Sequence, residues 1–141
     1  MQAVMTAEEM NDWLSEVFPQ IKGQFVVHNL DGVNTVMRMV ISDQHLRPGG
    51  TVSGPTMFTL ADVAAYVATM AVIGREALTV TTNCSMDFMR KPESGKDLIA
   101  EARLLKVGKT LSVTNVLIFS EGGSEPVARA NMTYAIPPKK A

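Results

Sequence analysis

Asp62 is the residue in this chain best placed to do chemistry. It is the only charged side chain between Pro55 and Gly74, a segment otherwise made almost wholly of Met, Phe, Leu, Ala, Val and Ile. A carboxylate held among apolar groups can act as a general base or as a nucleophile. Thr59, Asp62, Tyr66 and Thr69 recur at steps of three and four, so on a helix they share one face. The other reactive side chains are scattered. His28 and His45 stand alone and Cys84 is the single cysteine, so no metal-ligand spacing is present and no cofactor is called for. Cys84 lies in an apolar strand-like run, the setting of a core residue rather than a nucleophile. Ser53 sits where an N-cap belongs, with no base at a diagnostic spacing to activate it.

These residues need elements to hold them. Thr6 and Glu9 have the spacing of a capping box and start a short helix with Met10, Trp13, Leu14 and Val17 on one face, stopped by Pro19. Gln24 to Asn29 reads as a strand, Asp31-Gly32 as a hairpin turn, and Thr35 to Ser42 as the return strand. An irregular Gly/Pro-rich loop, Leu46 to Gly54, follows. Pro55 suits the first turn of a long helix, which Gly74 and Arg75 close. A helix apolar nearly all round is buried. Leu78 to Arg90 is β-rich, with Val80, Cys84, Met86 and Phe88 on one side and Thr82 as the polar exception there. Thr79, Thr81, Asn83, Ser85 and Asp87 point the other way. Leu98 to Lys106, Leu111 to Phe119 and Val127 to Ile136 are further strand-like runs, joined by turns at Gly108-Lys109 and Glu121 to Ser124. Pro137-Pro138 ends the structure, and the tail Lys139-Lys140 is expected to be disordered.

The expected order is helix, two strands, one buried helix, then three antiparallel strands. One antiparallel sheet wrapped around one central helix is the economical α+β arrangement, with residues 1–141 as a single domain. A sheet with one helix on one face leaves an edge or a face to cover, and dimerisation is the expected remedy.

Composition narrows the function classes. The chain has 141 residues, 46% apolar and 19% charged, with a net charge of −1. Its length is that of one domain. Its charge offers no electrostatic footprint for nucleic acid or an anionic membrane. The longest apolar run, Met57 to Ile73, falls short of the roughly 20 residues of a membrane span and carries Asp62 within it. Met1 to Glu9 lacks a basic n-region and an apolar h-region, and one cysteine suits a reducing compartment, so a cytoplasmic protein is expected.

With these residues in view, a family resemblance emerges. Ser53 to Ala64, reading Ser-Gly-Pro-Thr-Met-Phe-Thr-Leu-Ala-Asp-Val-Ala, resembles the His-Gly-Gly…Leu-Ala-Asp signature of PaaI-like hotdog-fold acyl-CoA thioesterases. Asp87 to Pro92 with Gly95 is similar to the family's Phe-Leu-Arg-Pro-Ala…Gly segment. Ala102 to Lys109 is similar to its Ala-Arg…Gly-Arg hairpin, and Ala128 to Tyr134 to its Ala…Thr-Tyr strand. The resemblance runs from about Phe25 to Ile136, and its specificity lies in the order of the pieces.

The resemblance implies a hotdog fold, a homodimer often paired into a homotetramer, and active sites at the dimer interface. It implies that Asp62 is the catalytic carboxylate, that the Gly54 amide holds the thioester oxygen, and that Thr82 is the assisting hydroxyl from the partner's strand. The chain departs from the family where its His is Ser53, its second Gly is Pro55 and its loop Asn is Arg47. Thioester hydrolysis needs a carboxylate, donors aimed at a developing oxyanion and a site that holds water and thioester together. Asp62 can supply the first. The Gly54 amide, at the positive end of the helix, can supply the second. Whether Asp62 attacks directly or activates water is open. Gly54 read alone is a turn glycine and Thr82 a β-former. Arg90, Lys91 and Lys109 are candidates for coenzyme A phosphates, or a solvated basic strand end. Arg47 could neutralise a phosphate or pair with Asp62. The leading expectation is an acyl-CoA thioesterase. The alternatives are a hotdog hydratase using His45, and a non-catalytic acyl-CoA-binding dimer.

Overall fold

The computed structural model describes residues 1–138; the tail Lys139-Lys140 lies outside them. Two α-helices, α1 (Ala7–Val17) and α2 (Gly54–Ile73), combine with six strands: β1 (Phe25–Leu30), β2 (Asn34–Met39), β3 (Val80–Phe88), β4 (Leu98–Val107), β5 (Leu111–Ser120) and β6 (Ala128–Ala135). Four strands, not three, follow the long helix, because the run after it forms a full strand of its own. All pairings are antiparallel and the sheet order is β1-β2-β4-β5-β6-β3. β3 leaves α2 and crosses to the far edge, so one of its sides has no strand beside it.

The sheet wraps α2. Leu60, Ala61, Ala64, Val67, Met70 and Ala71 are almost wholly enclosed and meet Met37, Leu98, Ala100, Val116, Ile118 and Met132 from the strands. The small alanines let the sheet close tightly around the helix, and this concave layer is the core. α2 has the length and apolarity of a membrane span, but most of it is buried inside the protein's own sheet. Ser53 caps it, accepting from the Thr56 N–H at 3.3 Å, and helical geometry starts one residue earlier than Pro55, at Gly54. Gly74 ends it with φ +90°.

α1 packs across the helix end of this core. The capping box holds, with Thr6 and Glu9 bonding each other's backbone N–H at 3.0 and 3.1 Å. Trp13 stacks on Tyr66 of α2 at 5.9 Å and 4°. Asn11 ties α1 to β1 by accepting the Val27 N–H at 2.8 Å and donating to the Val27 carbonyl at 3.0 Å. The Asp31-Gly32 turn forms as expected, Asp31 Oδ1 accepting from Val33 and Asn34. Gly32 has φ +92°, and an added Cβ would meet Ala3 N at 2.6 Å, so the N-terminal segment closes over this turn.

The face assignment of β3 needs correction. Thr81 pairs with Tyr134 and Asn83 with Thr133, leaving Thr82 as an extra, bulged residue. A bulge inverts the alternation beyond it. Thr81, not Val80 or Thr82, therefore shares the inner side with Cys84 and Met86, and Val80 is exposed.

Candidate functional site

Asp62 is half-buried on α2 and faces the β3–β6 end of the sheet. Its Oδ1 accepts from the Thr81 hydroxyl at 2.6 Å and from the Tyr134 hydroxyl at 2.5 Å. Tyr134 also lies 2.7 Å from the Asp62 carbonyl. The polar stripe of α2 continues inside the same chain. Tyr66 packs 6.0 Å from the Tyr134 ring, and Thr69 meets Ser112 of β5 at 2.8 Å. The stripe thus starts exposed at Thr59 and runs beneath β6 and β5.

The electrostatics follow from burial. Tyr66 is pushed up to about 12 by burial. Burial, and then the Asp62 carboxylate that it donates to, hold the Tyr134 phenol well above its ordinary range. Both phenols stay protonated at working pH, so Tyr134 always presents a donor to Asp62. Burial, followed by the Asp62 charge, raises the Cys84 thiol, which leaves it an inert core-side cysteine.

Asp62 lines a cavity of about 460 Å³ walled by Phe18, Ile21, Val63, Tyr66 and Tyr134. A second cavity, of about 410 Å³, is lined by Arg47, Gly54, Met57, Phe88, Arg90 and Lys91. The two share no lining residue. The Gly54 N–H occupies the first helical position, where no intrahelical acceptor exists. Gly54 and Asp62 are eight residues apart on α2. At about 1.5 Å of rise per residue they stand roughly 12 Å apart along the helix. One chain therefore does not bring its own Gly54 amide and Asp62 carboxylate to the same carbonyl.

The remaining candidates divide between these places. Ser53 is the helix cap, its Oγ 2.8 Å from the Thr56 hydroxyl, and Pro55 is an exposed residue of the first turn. Arg47 is exposed and makes no ion pair with Asp62 among the described residues. Arg90 and Lys91 share its cavity, Arg90 being bonded to Glu125 at 2.6 Å. Lys109 is not with them: it lines a separate cavity with Val72, Ile73 and Glu76 at the other end of α2. Thr82 does not touch Asp62, because its hydroxyl donates to the Thr133 carbonyl at 3.3 Å. His45 serves the loop, its Nδ1 accepting the Ser42 N–H at 2.9 Å and its carbonyl the Ser53 N–H at 2.9 Å. That gives no support to a hydratase acid–base pair. Among the described residues no three His, Cys, Asp or Glu side chains gather as metal ligands. Thr81 and Tyr134 were not singled out from the sequence. Tyr134, the one aromatic side chain of β6, was the available signal; the bulge that turns Thr81 inward left none.

Comparisons with known proteins bear on the family and the fold. The family model described as the thioesterase superfamily matches residues 49–127, which contain Gly54 and Asp62. A crystal structure of a candidate thioesterase from Silicibacter sp. is 56% identical, with a TM-score of 0.92 over 98% of this chain and 96% of that one. Human acyl-coenzyme A thioesterase 13 is 25% identical over 118 residues, 82% of each chain. The E. coli PaaI protein from the phenylacetic acid degradation operon shares the fold, with a TM-score of 0.78, 23% identity and 95% coverage of both chains.

Proposed function

The chain belongs to the thioesterase superfamily, and from that premise we propose that it hydrolyses acyl-coenzyme A thioesters in a site built by two copies, Asp62 from one and Gly54 from the other. The carrying observation is the position of the two half-sites at opposite ends of a free edge strand. Thr81 and Val80, at the start of β3, border the Asp62 cavity, and Phe88, at its end, borders the Gly54 cavity. Antiparallel pairing of two β3 edges about a twofold axis near Cys84 sets the start of one strand beside the end of the other. Each Asp62 cavity then meets the partner's Gly54 cavity.

The edge invites such pairing. β3 carries nine residues with one charge, Asp87, and no lysine or proline, the usual protections of an exposed edge. Leu78, Val80 and Phe88 are 80%, 56% and 54% exposed in the single chain, which favours a covered edge. Leu105, Leu111 and Leu117 stay exposed elsewhere on the strands and offer a second surface through which dimers form a tetramer.

In this site the Gly54 N–H and the α2 dipole stabilise negative charge developing on the thioester oxygen. The Asp62 carboxylate attacks the carbonyl carbon or takes the proton of an attacking water. The C–S bond breaks and the sulfur leaves with a proton as the coenzyme A thiol; after direct attack, water then hydrolyses the Asp62–acyl anhydride and restores the carboxylate, and on either route the acyl group leaves as free acid. The apolar cavity beside Asp62 receives the acyl group. Arg47, Arg90 and Lys91 supply cations to coenzyme A phosphates at the mouth of the Gly54 cavity. The lone Cys84 supports a cytoplasmic setting as part of the same reading. The test is free-thiol release across short, medium and aromatic acyl-CoAs. Asp62→Asn should abolish turnover, and wild-type turnover in that variant would remove Asp62 from the mechanism.

A further inference from the structure

An aspartate carboxyl turns about a broad, roughly twofold torsion, and its two oxygens are chemically equivalent until the protein distinguishes them. Here it does. Thr81 from β3 and Tyr134 from β6 face each other across the strand pair, and both hydroxyls converge on the same Asp62 oxygen, at 2.6 and 2.5 Å. The other oxygen, Oδ2, accepts no hydrogen bond from the chain among the described residues. A half-turn of the carboxylate only exchanges the labels, so one oxygen is always bound and one always open. The bulge at Thr82 makes this possible, since it sets Thr81 in the same row as Tyr134.

We infer that Thr81 and Tyr134 are positioning residues that clamp one oxygen of Asp62 and leave the other as the oxygen that meets water or thioester. This rests on the reading of Asp62 as the reacting carboxylate. Both donors act through Asp62 and neither needs to touch the reacting carbon. Tyr134 is 3% exposed and rigidly seated against Tyr66, so its hydroxyl holds a fixed place. Charge-assisted O–H···O⁻ bonds in this distance range are short and directional, which is what an orienting clamp requires. Misplacement of a reacting group by about 1 Å can cost on the order of a hundredfold in rate.

Tyr134→Phe keeps the ring and removes only the hydroxyl, Thr81→Val keeps the shape, and Thr81→Ser restores the donor. These are assayed by free-thiol release with whichever acyl-CoA of the short, medium and aromatic panel the wild-type protein turns over fastest. Tyr134→Phe and Thr81→Val should each lower kcat by about tenfold to a hundredfold, with KM within about twofold. Thr81→Ser should recover most of the loss. A general loosening of the fold would instead change KM and the unfolding midpoint, and serine would not rescue it; that pattern overturns the clamp. Wild-type kcat in Tyr134→Phe and Thr81→Val, with Asp62→Asn inactive, also overturns the clamp while leaving Asp62 in place. An active Asp62→Asn brings down the reading beneath it.

Discussion

Raising the pH offers a clean probe of how tightly the Asp62 cavity is built. The chain has two tyrosines, Tyr66 and Tyr134, and both sit in that cavity's wall, 6% and 3% exposed. Every tyrosinate signal therefore comes from the site. Burial moves Tyr66 from 10.0 to about 12, and burial plus the bond to Asp62 carries Tyr134 further in the same direction. Both folded values lie above the unfolded ones, so the stability they contribute is fully present below about pH 10 and is lost as pH rises towards the folded values. A rise of roughly two units on Tyr66, at about 1.36 kcal/mol per unit, is worth on the order of 3 kcal/mol. The assay follows tyrosinate absorbance in native and urea-unfolded protein, together with the urea midpoint, between pH 9 and 12. Unfolded protein should be about half ionised near pH 10 while native protein shows little phenolate. The unfolding free energy should fall by about 2 kcal/mol from Tyr66 between pH 10 and 12, the rest of the loss coming above pH 12, and Tyr66→Phe removes this part. Native phenols that titrate near pH 10, with no pH effect on the midpoint, would refute the burial argument.

Other outcomes follow from single contacts. Asn11→Ala should cost about 2–3 kcal/mol in urea unfolding, because it removes two hydrogen bonds and strands the partly buried Val27 amide groups. Gly32→Ala should cost about 1–3 kcal/mol, since it combines a positive φ with backbone contact at 2.6 Å, and a wild-type midpoint would show that the N-terminal segment does not close over the turn. Asn83→Lys with Ser85→Lys charges the β3 edge where two copies would face each other. Sedimentation should show that variant as a monomer and thiol release should fall with it; an active monomer would break the link between pairing and catalysis.

Much of the positioning framework was legible in the sequence because it depends on local rules. The Thr6–Glu9 box, the Asp31-Gly32 turn, the Ser53 cap and the apolar α2 with Asp62 on its polar stripe each follow from a few neighbouring residues. Strand runs were visible for the same reason. What escaped depended on long-range pairing. Nothing local says that β3, itself visible as a β-rich run, crosses to the sheet edge. The bulge at Thr82 involves no glycine or proline, so strict alternation sent Thr81 outward, although its hydroxyl meets Asp62. Arg47, Arg90 and Lys91 converge while Lys109 goes elsewhere, since the β4–β5 turn lies at the opposite end of α2.

The shared site can be tested by mixing two disabled chains. Gly54→Pro removes the amide donor at a helix position that suits proline, and Asp62→Asn removes the base. Each alone should be inactive yet folded, with cooperative thermal unfolding. Refolded together at equal amounts, half of the dimers pair unlike chains, and each such dimer holds one intact site and one doubly damaged site. Thiol release should then return to about one quarter of the wild-type rate. Activity that stays at the level of the separate variants, in a sample shown to contain mixed dimers, would mean that Gly54 and Asp62 do not act across the interface.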